Sequence, residues 1–243
     1  MRAPETCLPL RAEGLGFAAG GVPILQGVCF ALEAGPPALV VGPNGAGKSV
    51  LLRLLHGLLP PTAGAVRWAA GGGRGNGRMP RDAMVFQRPV MLRRSALANA
   101  AYPLKLAGLP RAERSARARA ALERVGLAEL ARRPARRLSG GEQQRLALAR
   151  AAALNPEVLF LDEPCANLDP AATRAVEAIV ADIAAHGTKV VMTTHDLGQA
   201  RRLAGEVLFL HRGRLLEHAP AAAFFAGPRA PEAAAFLRGE LVW

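Results

Sequence analysis

The eight residues GPNGAGKS at 42 to 49 restrict the fold of this chain more than any other stretch. They satisfy the pattern GxxxxGK[ST], and they stand where it has to stand. The apolar run ALVV at 38 to 41 reads as a buried strand before them, and a helical stretch to about Gly57 follows. A glycine-rich turn between strand and helix aims successive backbone N–H groups, and the positive end of the helix, at an anion. Gly42, Gly45 and Gly47 let the backbone wrap close to phosphate, Pro43, Asn44 and Ala46 complete the loop, and Lys48 reaches the outer phosphates. Ser49, followed by Val50, offers a hydroxyl to magnesium.

A second stretch narrows the chemistry. In VLFLDEP (158 to 164) four apolar residues carry Asp162 to the carboxyl end of a buried strand, where ligands of open α/β sheets gather, and there it can hold magnesium through water. Glu163 follows and leaves the strand in a different direction, which makes it a candidate base for a water attacking a γ-phosphate. KVVMTT (189 to 194) reads as a further parallel strand, with a helix over 171 to 186 between the two. Residues 8 to 32 suggest an antiparallel hairpin broken at GFAAGG, and AGAVRW another short strand. From Ser95 to about Leu130 the spacing is helical, with LAGLPR as the break between two helices. GGGRGNGR (71 to 78) reads as a flexible loop, and the last thirty residues as a hairpin around RGR (212 to 214) with weak Ala-rich helices.

LSGGEQQR (138 to 145) is a second glycine-rich helix start. Ser139 with Glu142 three positions on makes a capping box, which needs no glycine. Gly140 and Gly141 cost backbone entropy and bare a helix N-terminus, a place that attracts anions.

Composition permits this reading without sharpening it. With 51% hydrophobic and 5% aromatic residues the chain is an Ala-rich α/β protein. Its net charge of +12 favours acidic partners: nucleotides, nucleic acid or an anionic membrane face. Lysine occurs only at 48, 105 and 189, and arginine supplies the other 28 of 31 basic residues, as a genome-wide base composition would. Cys7, Cys29 and Cys165 form no CxxC pair and no zinc spacing, which suits a reducing cytosol. Pro23, Pro36, Pro37 and the glycines break the weakly charged stretch 14 to 47, so no bilayer-spanning helix is expected there; nor is a signal peptide, given Glu5 and Glu13.

Together these motifs resemble the ATP-binding cassette family. LSGGEQQR lies between GPNGAGKS and VLFLDEP as the family's signature does; VFQRP puts Gln87 at the Q-loop position, NLDP (167 to 170) is similar to the D-loop, and TTHD puts His195 at the switch histidine. The resemblance implies an α/β fold: a P-loop NTPase core at about 1–88 and 156–218 with an antiparallel β subdomain, an inserted helical subdomain at about 89–155, and a short tail at 219–243. It implies a single ABC ATPase domain binding ATP and Mg2+. Two cassettes, here a homodimer, would pack head to tail, with Ser139, Gly140 and Gly141 meeting the γ-phosphate held by the opposite chain. His195 would contact the γ-phosphate on its own side, Gln87 magnesium or water, and Asp169 would shape the interface. Phe17 matches the aromatic that stacks on adenine, although a core role suits it nearly as well. Val50 departs from the threonine that the family often carries after the P-loop serine.

The implied function is that of the ATP-hydrolysing subunit of a transporter. It would sit on the cytoplasmic side of the membrane, peripheral, bound to a permease, with an extracytoplasmic binding protein beyond it. QRPVMLRRSALANAAYPLKLAG and FLRGELVW look most like importers of tungstate or related oxyanions. The alternative is a soluble ABC-type ATPase acting on nucleic acid or ribosomes. Such proteins usually carry two cassettes or long coiled coils, so direct binding of nucleic acid is not expected.

Overall fold

The computed structural model of the chain describes residues 6–69 and 81–240. The glycine-rich run at 71–78 lies outside the described residues, as do Glu5 and the last three residues of FLRGELVW.

The expected hairpin is β1 (Leu10–Ala19) and β2 (Val22–Leu32), turned at Gly20 and Gly21, both at positive φ. β3 (Ala38–Val41) leads through the phosphate loop into α1 (Lys48–His56), which Gly57 closes in the left-handed conformation. β4 (Ala63–Trp68) returns to pair with β1, giving a three-stranded antiparallel sheet in the order β2-β1-β4.

Next comes β5 (Asp82–Val85), a strand that the sequence did not announce: its four residues acquire their character from parallel pairing with the distant β6. Helices α2 (Ala96–Leu106) and α3 (Arg111–Arg124) follow, parted at 107–110 as LAGLPR predicts. The helical stretch stops earlier than Leu130, because Gly126 takes φ 67 and 128–130 forms only a 3₁₀ turn. α4 (Gly140–Ala152) starts at Ser139 with a complete capping box. β6 (Val158–Asp162), α5 (Pro170–Ala185), β7 (Lys189–Thr193) and α6 (Leu197–Leu203) then alternate. β8 (Glu206–His211) and β9 (Arg214–Pro220) make the second hairpin, before the short α7 (Ala221–Ala226) and α8 (Pro231–Leu237). The main sheet runs β5-β6-β7-β3-β8-β9, parallel throughout except for β9.

Period-two alternation divides the core between the two faces of this sheet. Ala38, Val40, Phe160, Val191 and Leu208 face α1 and the antiparallel sheet; Leu39, Val41, Leu159, Leu161, Val190, Met192 and Phe209 face the remaining helices. Each aliphatic side chain so buried contributes about 1.5–3 kcal/mol, which is why these strands read as unbroken apolar runs. All their carboxyl ends point the same way, and the phosphate loop leaves from one of them.

The opposite end of the sheet is tied by ions. Lys189 is 2% exposed and donates to Glu206 Oε1 and to Pro36 O, both at 2.6 Å, while His218 Nε2 lies 2.6 Å from the other Glu206 oxygen. Glu157, before β6, accepts from Cys7 N–H at 2.6 Å and from Arg81 at 2.6 and 2.9 Å, joining the N-terminal segment to β5 and β6. Desolvation pushes this carboxyl up, but the Cys7 N–H and Arg81 outweigh it and hold it down at about 2. Burial, and then Glu157, push the Cys7 thiol up to about 12, so it stays an unreactive protonated thiol.

Because the Glu157 pKa is depressed on folding, its stabilisation is present above the unfolded value of about 4.3 and is lost as pH falls from there towards 2. Glu157→Gln is expected to lower stability by about 1–3 kcal/mol at neutral pH and to flatten the loss between pH 5 and 3, as read from urea melts across about that pH range. A variant with the wild type's acid sensitivity would show that other carboxylates carry it.

Candidate functional site

The phosphate loop is built against two neighbouring turns. Gly47 N-caps α1 at φ 98, and a side chain there would meet Leu25 Cδ2 at 2.8 Å and Ile24 O at 3.2 Å on β2. Gly213 N–H, in the β8–β9 turn, donates to Ala46 O at 3.2 Å, and Gln26 N–H on β2 donates to Gly213 O at 2.9 Å. At Gly42, φ 147, a Cβ would fall 2.0 Å from Leu210 O, so the loop closes on the sheet only with glycine at its first position. Pro43, Asn44 and Gly45 carry the turn onward, Pro43 O accepting from Ala46 N–H at 3.2 Å.

The end of α1 that faces this loop has no side-chain cap and no acidic residue in its first turn, which leaves its first N–H groups directed at whatever the loop encloses. Lys48 is 6% exposed, and its ammonium donates to Gly42 O at 2.9 Å and Pro43 O at 3.1 Å. Burial lowers the Lys48 pKa, against the opposite pull of Glu163 and Asp162. A phosphate in the loop would relieve that burial penalty.

Asp162 ends β6 directly opposite Thr193, the last residue of β7. Its Oδ1 accepts from Ser49 Oγ at 2.7 Å and from Thr193 Oγ1 at 2.9 Å, and Arg53 on α1 approaches Oδ2 at 3.9 Å. Glu163 occupies the left-handed region at φ 43, a conformation that costs a non-glycine residue about 1–3 kcal/mol. Its N–H is held by the same Thr193 Oγ1 at 2.9 Å. Its Oε2 lies 3.4 Å from Gln87 Nε2 and 3.3 Å from His195 Nδ1. The turn at Glu163 thus separates the two carboxylates: Asp162 faces Ser49, and Glu163 faces Gln87 and His195.

Lys48, Ser49, Asp162, Glu163, Gln87 and His195 therefore converge on one end of the sheet. The donor set fits a polyphosphate with magnesium. Ser49 Oγ and the Asp162 carboxylate are hard oxygens, and magnesium is commonly held by one or two protein groups together with substrate phosphates. Among the described residues no cluster of three or more His, Cys, Asp or Glu offers a protein-only cage. Val50 is half-buried against the core. Phe17 is half-buried on β1, paired with Leu25, which touches Gly47; this puts it one strand away from the loop and packed against the same core.

Ser139, Gly140 and Gly141 are not in this group. With Glu142, Asn167, Leu168 and Asp169 they line a separate open cavity of about 440 Å³ that includes no phosphate-loop residue. Ser139 Oγ is committed to the cap, accepting from Glu142 N–H at 3.3 Å while Glu142 takes the Ser139 N–H at 2.7 Å. Asp169 caps α5, accepting from Ala171 and Ala172 N–H. The two glycines differ in kind. A Cβ at Gly141 would meet Ala172 Cβ at 2.8 Å, so its bareness is already required by the packing of α4 on α5. At Gly140 the nearest atom would be Leu168 Cδ2 at 4.0 Å, and space remains open.

Thr193 and Arg53 are the site residues that sequence reading missed. Thr193 stood inside a motif read only as a strand; the signal available was a threonine at the carboxyl end of a strand parallel to VLFLD.

The ABC transporter family matches residues 25–166 of this chain. The methionine import ATP-binding protein MetN of Caulobacter vibrioides is 40% identical over 230 residues, covering 91% of this chain and 69% of that protein. The tungstate uptake system ATP-binding protein TupC of Peptoclostridium acidaminophilum is 38% identical over 200 residues, covering 82% and 92%. Among solved structures, a dimeric post-hydrolysis state of an ATP-binding cassette bound to ADP and Pi aligns with TM-score 0.77 at 26% identity, covering 87% of this chain and 98% of that one.

Thr193→Val keeps the shape of a fully buried side chain and removes the one hydroxyl that serves both carboxylate residues. A loss of about 1–3 kcal/mol in urea unfolding is expected, since the Glu163 N–H is left without its acceptor. A change below about 0.5 kcal/mol would show that the hydroxyl is dispensable to the turn.

Proposed function

The chain belongs to the ABC transporter family as the ATPase subunit of an importer, and on that premise we propose that two copies of it close head to tail around two magnesium-bound ATP molecules and drive a separate permease. The observation that carries the proposal is the separation of the two anion-directed helix starts. One lies at the phosphate loop, the other in a cavity that shares no residue with it, so a single chain offers each ATP only half of its contacts.

In the closed pair, Gly42, Pro43, Asn44, Gly45, Ala46, Gly47, Lys48, Ser49 and Val50 wrap the phosphates, and Phe17 stacks on adenine. Ser49, Asp162 and Gln87 hold magnesium, Glu163 takes the proton of the attacking water, and His195 binds the γ-phosphate from its own side. Ser139, Gly140 and Gly141 reach the γ-phosphate of the opposite chain, Gly140 with the open approach and Gly141 through its backbone. Asp169 lines the same face. ATP stabilises the closed pair by binding it more tightly than the separate copies, and hydrolysis removes the γ-phosphate contacts that bridge the halves. Residues about 1–88 and 156–218 act as the nucleotide core, 89–155 as the helical subdomain that meets the permease, and 219–243 as a tail.

No helix among the described residues is long and apolar enough to cross a membrane. In this reading a separate permease holds the subunit at the cytoplasmic side, and an extracytoplasmic binding protein delivers solute. For the solute we take an oxyanion such as tungstate. A tungstate uptake protein and a phosphate import protein, both of which serve oxyanions, are among the similar proteins beside a methionine import protein, and this supports the reading. The similar proteins are transport components and lend no support to action on nucleic acid.

Glu163→Gln should retain ATP, reduce phosphate release by about 10²–10⁴-fold, and elute as a dimer when ATP and magnesium are present. Undiminished phosphate release would remove Glu163 as the base. Ser139→Arg, at the mouth of the second cavity, should abolish that dimer in the Glu163→Gln background; a dimer that survives would end the shared-site reading.

A further inference from the structure

The net charge is not spread along the chain. Residues 88 to 152, from just beyond Gln87 to the end of α4, hold 15 of the 31 basic residues and 4 of the 19 acidic ones. They carry +11 of the total +12, and the rest of the molecule is close to neutral. A genome rich in arginine codons would replace lysine everywhere. It would not gather 15 of the 31 basic residues into 65 of the 243 positions.

The charge is densest in one patch. Arg93 and Arg94 precede α2, and Arg132, Arg133, Arg136 and Arg137 precede the helix start at Ser139. Backbone bonds lace the two segments side by side: Ala96 N–H donates to Arg133 O, Leu97 N–H to Ala131 O and Ala135 N–H to Arg94 O, each at 2.9 Å. All six arginines are exposed. Among the described residues, the ion pairs of residues 88 to 152 are Arg117–Glu113 and Arg124–Asp182, neither in the patch. Arg136 Nε donates to Met91 O at 3.1 Å and Arg94 lies over the Tyr102 ring, which leaves both charges unneutralised. Of the nearby carboxylates, Glu142 is held by the Ser139 N–H, and Glu129 stands exposed beyond Ala131. In the same segment Val90 is 69% exposed and Leu106 70%.

Six exposed guanidinium groups, of which Arg133 alone has a carboxylate, Glu142, near enough to feel its charge, in a segment that also exposes aliphatic side chains, match a layer of phosphate head groups. Such a layer supplies mobile negative charge without demanding a shape, and arginine meets phosphate through paired N–H donors. We propose that the patch formed by Arg93, Arg94, Arg132, Arg133, Arg136 and Arg137 rests on anionic phospholipid, giving this subunit a membrane contact of its own beside the permease. The inference goes beyond the transport reading and does not depend on which solute is carried.

The test uses the purified full chain without any permease, in sedimentation with vesicles of phosphatidylcholine alone or mixed with phosphatidylglycerol. Binding should be tighter by about tenfold or more on the mixed vesicles and should weaken as salt rises. The variant Arg132→Gln/Arg133→Gln/Arg137→Gln should lose that preference while its thermal unfolding and ATP binding stay unchanged. Arg174→Gln/Arg229→Gln, which removes as exposed a pair of charges elsewhere, should keep it. Equal capture by both kinds of vesicle, or a triple variant that still prefers phosphatidylglycerol, overturns the proposal. So does retention of duplex DNA that the triple variant loses, in the absence of vesicle binding; this would assign the patch to nucleic acid.

Discussion

The Thr193 hydroxyl joins the two halves of the chemistry to the sheet. It donates to Asp162 and accepts from the Glu163 N–H, so one buried oxygen fixes the Asp162 carboxylate and the turn that swings the next carboxylate away from it. Parallel pairing of β6 with β7 puts Thr193 opposite Asp162, and a slip of one residue would put Met192 or Thr194 there instead, with its side chain on the other face of the sheet. The register is fixed by the two apolar faces of the sheet. Packing remote from the site thereby decides the position of its polar groups, and the strain at Glu163 persists because this surrounding structure leaves it no relaxed alternative.

The parts of the fold that were legible in the sequence are those whose cause is local. ALVV and VLFLD are buried on both faces and read as strands; GPNGAGKS requires a turn that only glycine makes, and Leu210 O behind Gly42 shows why. Ser139 and Glu142 form the capping box that their spacing announces. The unread parts have distant causes. Asp82–Val85 is a strand because β6 accepts it as a neighbour, and nothing in DAMV says so. The role of Thr193 depends on a residue 31 positions away. Gly141 has a second cause that the sequence did not show: its bareness is also required by Ala172 of the chain's own α5, whereas Gly140 keeps open space.

This distinction between the glycines bears on how a second copy could approach. The cavity is bounded by α4 and the start of α5, which pack closely where Gly141 meets Ala172. Asp169 and Ser139 cap the two helices that form it, so both helix starts are settled within the chain before any partner arrives. In the proposed dimer the second cradle is thus pre-formed, and ATP meets a rigid surface rather than one that it must order.

Charge then decides what such a dimer needs. Each copy carries +12, nearly all of it in the segment that includes the start of α4, and two like-charged surfaces resist contact. Within the phosphate loop burial lowers the Lys48 pKa, a penalty on the ammonium that a bound phosphate would relieve. In the proposed pair a triphosphate between the halves would supply negative charge to Lys48. Hydrolysis and release of phosphate in that pair would remove part of that charge together with the bridging contacts, and both losses favour parting of the halves.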